Sequence, residues 1–333
     1  MANKDKTHIV VFSGSPRSKD TCPGQDGKTL SLAKHAMKKL PKSVKVDFID
    51  LSVKHDGKIV YPCKGCISTA NGMHCHWPCS CYGPGSAAEN LPDLIYDKNI
   101  YAKLEKADGF VVFCPINWYS VPTQVKAMFD RLVCCNQTLT KHQAYDVLKI
   151  GKDIKKTSAA EQSGEYSSLL KNHLEGKFAA FFIHGDDGAS DYKNKPMPES
   201  WNQKLEKKVN DPMSAVLEIV AQCQYSGIFV PEDLVYATHI NKGLDYSEAN
   251  EVHKDNKDLF KQAEDIVLKL VKHIEKPKKK GSRSHMMLES LLKLANRLDA
   301  EGKHGLADEV DSIVRNIVKN NGGNDAISTY KNS

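Results

Sequence analysis

The chain has 333 residues, of which 40% are hydrophobic and 26% charged, with a formal net charge of +6. That length and apolar content suffice for one sizeable domain with an appendage and exclude a wholly disordered chain. The positive charge excludes little by itself: residues 276–333 hold 11 Lys/Arg against 7 Asp/Glu, leaving 36 against 34 elsewhere. The main body is therefore nearly balanced, and no nucleic-acid partner is expected. No stretch reaches the roughly 18 uninterrupted apolar residues of a membrane span. The opening MANKDKTHIVVFSGS enters an apolar strand without a secretory core, so the expected location is cytoplasmic.

In chain order, HIVVF (8–12) is a continuous apolar run of the kind that a strand buried on both faces requires. It ends in SGSPR, and Leu30, Ala33, Met37 and Leu40 then recur at helical spacing up to Pro41. VKVDFIDL (44–51) reads as a second strand, a helix is expected around 97–106, and GFVVFCP (109–115) is a third strand. Ser120, Val121 and Pro122 begin a further helix, with Val121, Val125, Met128, Phe129 and Leu132 as its apolar stripe. Residues 136–175 are polar and irregular and carry no assignable chemistry.

KFAAFFIHGDDG (177–188) is a fourth strand with its loop, 213–226 a helix, and SGIFVPEDLVYATHI (226–240) a fifth strand with an extension. A helix carrying Leu259, Ala263, Ile266, Val267, Leu270 and Ile274 follows. Five strands alternating with helices imply an α/β fold, a parallel sheet with helices on both faces. The expected organisation is a domain over 1–275 with a cysteine-rich insertion at 61–90, a basic linker at 276–286 and an α-helical hairpin at 287–319. A disordered tail over 320–333 ends it. The hairpin reads as packing on its own domain or a sister subunit, with a docked protein partner as the alternative.

The insertion, PCKGCISTANGMHCHWPCSCYG, packs five of the ten cysteines into the span from Cys63 to Cys81. In a reducing compartment such clusters are metal ligands or active thiols more often than staples. Cys63, Cys66, Cys75, Cys79 and Cys81 are the candidate ligands. Four of the five are enough for an iron–sulfur cluster or, with His74 or His76 substituting, a tetrahedral zinc. Packed or redox-active thiols without metal are the third reading, and the spacing does not choose among them.

In open α/β sheets ligands sit outside the carboxyl ends of the strands, where strand order reverses. The loops there are SGSPR, PINWYS and HGDDG. The first offers hydroxyls at Ser13, Ser15, Ser18 and Thr29 ahead of a helix N-terminus, a phosphate cradle without a Walker lysine. In the second, Trp118 and Tyr119 beside Asn117 suit a planar heterocycle, with a simple cap on the sheet as the bland alternative. Cys114 reads as a small buried hydrophobe.

These blocks, GSPR with Thr29 and Leu30, PINWYSVPTQVKAMFDRL and HGDDG, resemble the flavodoxin-like NAD(P)H-dependent FMN reductases and flavodoxin family oxidoreductases over about residues 7–275. The cysteine segment is reminiscent of the related iron–sulfur flavoproteins, although Thr69 stands where their third cysteine would be. The resemblance implies a five-stranded parallel sheet of order 2-1-3-4-5. It implies FMN as cofactor, with its phosphate on Ser13, Ser15, Arg17 and Thr29. Pro115, Asn117, Trp118 and Tyr119 would contact the isoalloxazine, and His184, Gly185 and Asp186 would line its other side.

Lys126 and Arg131 are expected to brace their helix. NAD(P)H as co-substrate, a small-molecule electron acceptor, and a homo-oligomer complete the expectation. Competing readings are a non-catalytic flavin or iron–sulfur electron carrier and a zinc-stabilised docking scaffold. A phosphorelay receiver needs an acidic group after strand one, where this chain has SGSPR.

Overall fold

A computed structural model describes residues 6–65, 75–132, 138–139, 172–185, 199–200, 211–240, 255–276 and 312. The chain divides into two compact units, Met1–Ile274 and Glu275–Ser333. The expected hairpin at 287–319 falls in the second, almost wholly outside the described residues, as do Cys66, Asp186 and most of 136–175.

The first unit is built on strands β1 (His8–Ser13), β2 (Lys45–Asp50), β4 (Gly109–Pro115), β6 (Phe178–Gly185) and β7 (Val235–His239). They form one parallel sheet in the order β2-β1-β4-β6-β7. Numbered among themselves in chain order, these strands run 2-1-3-4-5, the flavodoxin-like arrangement that the resemblance implied. Burial follows position. β1, β4 and β6 are apolar nearly throughout and lie inside, whereas KVDFID of β2 and VYATH of β7 are half-buried edges.

Alternate residues of the central strands face opposite cores. Val10, Phe12, Phe110, Val112, Phe181 and Ile183 face the layer of α3 (Ile100–Lys106), α4 (Thr123–Leu132) and α5 (Leu217–Tyr225), together with the short α2 (Leu94–Asp97). Ile9, Val11, Val111, Phe113, Ala180 and Phe182 face α1 (Lys28–Met37) and α6 (Lys257–Glu275). The 3.6-residue apolar spacing of α6 buries Leu259, Ala263, Ile266, Val267, Leu270, Val271 and Ile274. Each large aliphatic so buried contributes roughly 1.5–3 kcal/mol.

Three details differ from the sequence expectation. The helix expected at 97–106 is two, broken at Asn99 in the left-handed region (φ 52°). The fifth strand begins at Val235 rather than near 226. Phe229 makes a single bridge to Phe178, then Pro231, which has no N–H for a ladder, leads into a 3-10 turn at Glu232–Leu234. A second small parallel sheet joins β3 (Cys75–His76) to β5 (Thr138–Leu139), a pairing too short to show as a periodic pattern.

Candidate active site

The carboxyl ends of β1, β4 and β6 converge with the start of α1. Gly14 N donates to Phe113 O at 2.7 Å, tying the first loop to β4. A Cβ on Gly14 would lie 2.5 Å from Val125 Cγ2 and 2.9 Å from Cys114 Cβ, so the backbone passes where no side chain fits. A Cβ on Gly27 would likewise lie 2.6 Å from Ser15 Oγ, which places the loop hydroxyl against the entry to α1. That entry has no side-chain cap and no acidic residue in its first turn. The positive end of the helix dipole there favours an anion.

Four hydroxyl residues here are buried: Ser13, Ser15, Ser18 and Thr29. Ser18 is spent on the loop itself, donating to Val53 O at 2.5 Å while its Oγ accepts from Asp20 N at 3.1 Å. Ser15 Oγ accepts from Arg17 N at 3.3 Å, and Arg17 is half-buried. Ser13 differs. It is 1% exposed, and its hydroxyl has no partner among the described residues. A buried unpaired hydroxyl costs about 1–3 kcal/mol, and one at a strand end beside an uncapped helix fits a ligand oxygen.

The second loop is strained. After Pro115, which pairs with His184 in register, Asn117 N donates to Ser120 O at 2.8 Å and Ser120 N to Asn117 O at 3.1 Å. Trp118 (φ 48°) and Tyr119 (φ 64°) at the tip both adopt left-handed backbone, a cost on the order of 1–2 kcal/mol for each bulky residue. Trp118 is 93% exposed. A core role is thereby excluded for it, and strain of this kind collects at ligand clamps.

His184 and Gly185 end β6. The His184 ring is buried and its Nε2 shares a 2.9 Å hydrogen bond with Thr29 Oγ1, so this side chain reaches the start of α1. Ile116 N donates to His184 O at 2.7 Å, and a Cβ on Gly185 would lie 2.7 Å from Ile116 Cβ. Serine loop, aromatic turn and β6 terminus therefore form one contiguous rim. Lys126 pairs with Asp130 along α4. Cys114 is wholly buried, and burial pushes its thiol up, as suits a packing residue.

The insertion lies against α4 rather than loose over the rim. Asp93 and Arg131, with side chains 2% and 0% exposed, make a bidentate pair at 2.7 and 2.8 Å. Burial works against the Arg131 charge, but the Asp93 hydrogen bonds prevail and raise its pKa further. Arg131 also donates to Tyr61 O at 3.3 Å and lies 4.4 Å from the Tyr82 ring centroid. Tyr82 donates to Pro62 O at 2.7 Å, Val60 N donates to Gln124 Oε1 at 2.6 Å, and Trp77 is buried edge-on to Tyr101. Trp77 and Tyr82 pin the loop down.

Cys79 is half-buried. A hydrogen bond with the Cys81 side chain pulls its pKa down to about 6 against the opposing effect of burial, helped by the Arg131 charge. Among the described residues no three His, Cys, Asp or Glu side chains are arranged to hold a metal ion. Cys66 lies outside them. Sequence reasoning missed both the Thr29–His184 bond and the role of Asp93, each joining positions far apart in the chain.

The family described as NADPH-dependent FMN reductase matches residues 7–152. An iron–sulfur flavoprotein of Methanosarcina thermophila is 30% identical over 125 residues, 38% of this chain and 52% of that protein. The chain thus spans about half the length of that curated relative. Among solved structures, RosB with bound 8-demethyl-8-formylriboflavin-5'-phosphate superposes with a TM-score of 0.43 at 11% identity, covering 81% of each chain. An FMN-dependent NADH-azoreductase from Bacillus anthracis str. Ames Ancestor gives 0.38 at 12% identity, over 77% of this chain and 97% of that one. The matched stretch, residues 7–152, carries the serine loop, the aromatic turn and the cysteine insertion, and it is this part of the chain that is similar to the NADPH-dependent FMN reductase family, within a flavodoxin-like sheet.

Proposed function

We propose that the chain is an FMN-dependent oxidoreductase that takes a hydride from NAD(P)H and passes electrons to a small acceptor, a quinone, a nitro or azo compound or free flavin. The observation that carries this reading is the buried Ser13 hydroxyl, without a partner among the described residues, at the strand end that leads toward the uncapped start of α1. Bound FMN supplies the two-electron chemistry itself.

The chain's part is to bind and orient. Ser13, Ser15 and Thr29 donate to the phosphate oxygens, the α1 N–H groups favour its charge, and Arg17 adds a cation. With Nε2 protonated, His184 donates to Thr29 Oγ1 and leaves the threonine proton for the phosphate. Pro115, Asn117, Trp118 and Tyr119 flank the isoalloxazine, Trp118 presenting a planar face held out by its own backbone. Gly185 keeps space beside Ile116, and Asp186 is assigned to the same side. No side chain is required as acid or base, which accounts for the lack of a triad in this reading.

The test is anaerobic titration of the purified chain with FMN, followed by NADPH or NADH. Tight binding with quenched flavin fluorescence and rapid bleaching by a nicotinamide supports the reading. Failure to bind FMN overturns it, and bound flavin that bleaches only with a protein donor would make the chain a carrier.

A further inference from the structure

The phosphate end and the ring end of the proposed site are carried by different elements, yet one residue bonds to both. Thr29, the second residue of α1, is 1% exposed, and its Oγ1 shares the 2.9 Å hydrogen bond with His184 Nε2. His184 is itself 4% exposed and is held in the sheet on both sides, in register with Pro115 of β4 and Thr238 of β7. Its carbonyl accepts from Ile116 N at 2.7 Å, immediately before the turn in which Trp118 and Tyr119 are left-handed. The side chain of His184 thus serves α1, and its backbone serves the aromatic turn.

A bond between a threonine hydroxyl and an imidazole nitrogen runs in one of two directions. With Nε2 unprotonated, Thr29 donates to it and keeps no proton for a ligand. With Nε2 protonated, the ring donates to Oγ1 and the hydroxyl proton is left for an anion. An anion oxygen on Thr29 therefore selects the second arrangement and fixes the His184 ring, whose backbone carries the carbonyl that Ile116 hangs on. A second tie, Gly14 N to Phe113 O at 2.7 Å, also joins the serine loop to β4, but it is made by backbone alone. Of the two, the Thr29–His184 bond is the one whose direction an anion sets. The strained turn beyond Ile116 is the part of the rim most dependent on how its base is held.

We propose that His184 is a positioning residue that couples the two halves of the site. Inorganic phosphate bound alone in the cradle strengthens binding of a phosphate-free flavin at the aromatic turn, and the flavin strengthens binding of the anion by the same factor. The inference rests on the flavin reading and adds that phosphate and ring act on one another through this chain, not only through the ribityl tether that joins them in FMN. Couplings between sites are commonly about 5- to 150-fold in affinity, and about tenfold is expected where a single side chain carries the effect.

The experiment uses the full chain freed of flavin, in chloride buffer at constant ionic strength. Riboflavin is titrated by fluorescence at zero and at saturating inorganic phosphate, phosphate is titrated by calorimetry with and without riboflavin, and FMN is titrated in parallel. A riboflavin Kd lower by about tenfold in phosphate, matched by the same factor in the phosphate Kd, is the expected result. The ratio is taken within each variant, so that general damage to the fold, which weakens both titrations alike, does not move it. Thr29→Val and His184→Ala should bring the ratio to about one, while His184→Gln, whose amide still donates to Thr29, should keep most of it. Nitrogen-15 spectra of labelled histidine should show His184 Nε2 protonated once phosphate is bound.

The proposal is overturned, with the flavin reading intact, if FMN binds but phosphate changes the riboflavin Kd by less than about twofold. The same holds if FMN binds and riboflavin does not even in saturating phosphate, if His184→Ala keeps the full effect, or if Nε2 is unprotonated in the phosphate complex. If neither FMN nor riboflavin binds, the flavin reading and this proposal fall together.

Discussion

Replacing Ser13 by alanine should move stability and FMN affinity in opposite directions. Ser13 is 1% exposed and its hydroxyl has no partner among the described residues, while its backbone is held by Leu51 N donating to its carbonyl at 2.9 Å and by the ladders to β2 and β4. Removing it therefore breaks no internal bond and relieves a desolvated polar atom worth about 1–3 kcal/mol, less a small loss of packing. The FMN-free variant should be more stable by about 1 kcal/mol, or roughly 2–4 °C in Tm for a domain of this size.

Binding should change the other way. A hydrogen bond to a charged phosphate is worth about 1.5–3 kcal/mol, a loss of roughly 10- to 150-fold in affinity. Urea unfolding of the FMN-free protein and fluorescence titration with FMN measure the two halves separately. A variant that is destabilised, or one that binds FMN within about twofold of the parent, refutes the assignment of this hydroxyl to the phosphate.

Gly14→Ala should cost about 1–3 kcal/mol by overpacking against Val125 and Cys114, and Val125→Ala in the same chain should recover part of that loss; additive costs in urea unfolding would contradict the contact. Arg131→Met strands the Asp93 carboxylate in the interior and should destabilise by about 3–5 kcal/mol, whereas Arg131→Met with Asp93→Leu should restore most of it, again by urea unfolding. Cys79 should show an alkylation rate that is level above about pH 7 and falls as pH drops through about 6, because its thiolate is stabilised. Mass-resolved iodoacetamide kinetics reads this profile, and a rate still climbing through pH 8 would contradict it.

The sheet was legible because its three central strands are buried on both faces and read as unbroken apolar runs, while helical periodicity marks what lies between them. The fifth strand was placed too early for a local reason. Ile228 to Val230 are apolar and β-branched or aromatic, but Pro231 prevents the ladder from continuing, and only the sequence after the 3-10 turn pairs along its length. Asn99 likewise breaks a pattern whose apolar spacing runs on through it. The strand-end loops stood out by their residue types, and the structure brings Ser13, Thr29, Ile116 and His184 to one rim. The bond between Thr29 and His184 spans 155 positions and leaves no mark on either local sequence. Cys79 and Cys81 are neighbours by spacing alone, but the cation beside them comes from α4, fifty residues onward.

The Asp93–Arg131 pair makes the stretch just after the insertion and α4 two halves of a rivet. Either half alone presents a charge for which the interior has no other use, so neither is a portable module. Transplanting the segment that begins after β2 and ends at Asp93 into another chain of this architecture would carry a carboxylate seeking a guanidinium at the last turn of the recipient's corresponding helix. A recipient lacking it would reject the graft however well the loop ends matched.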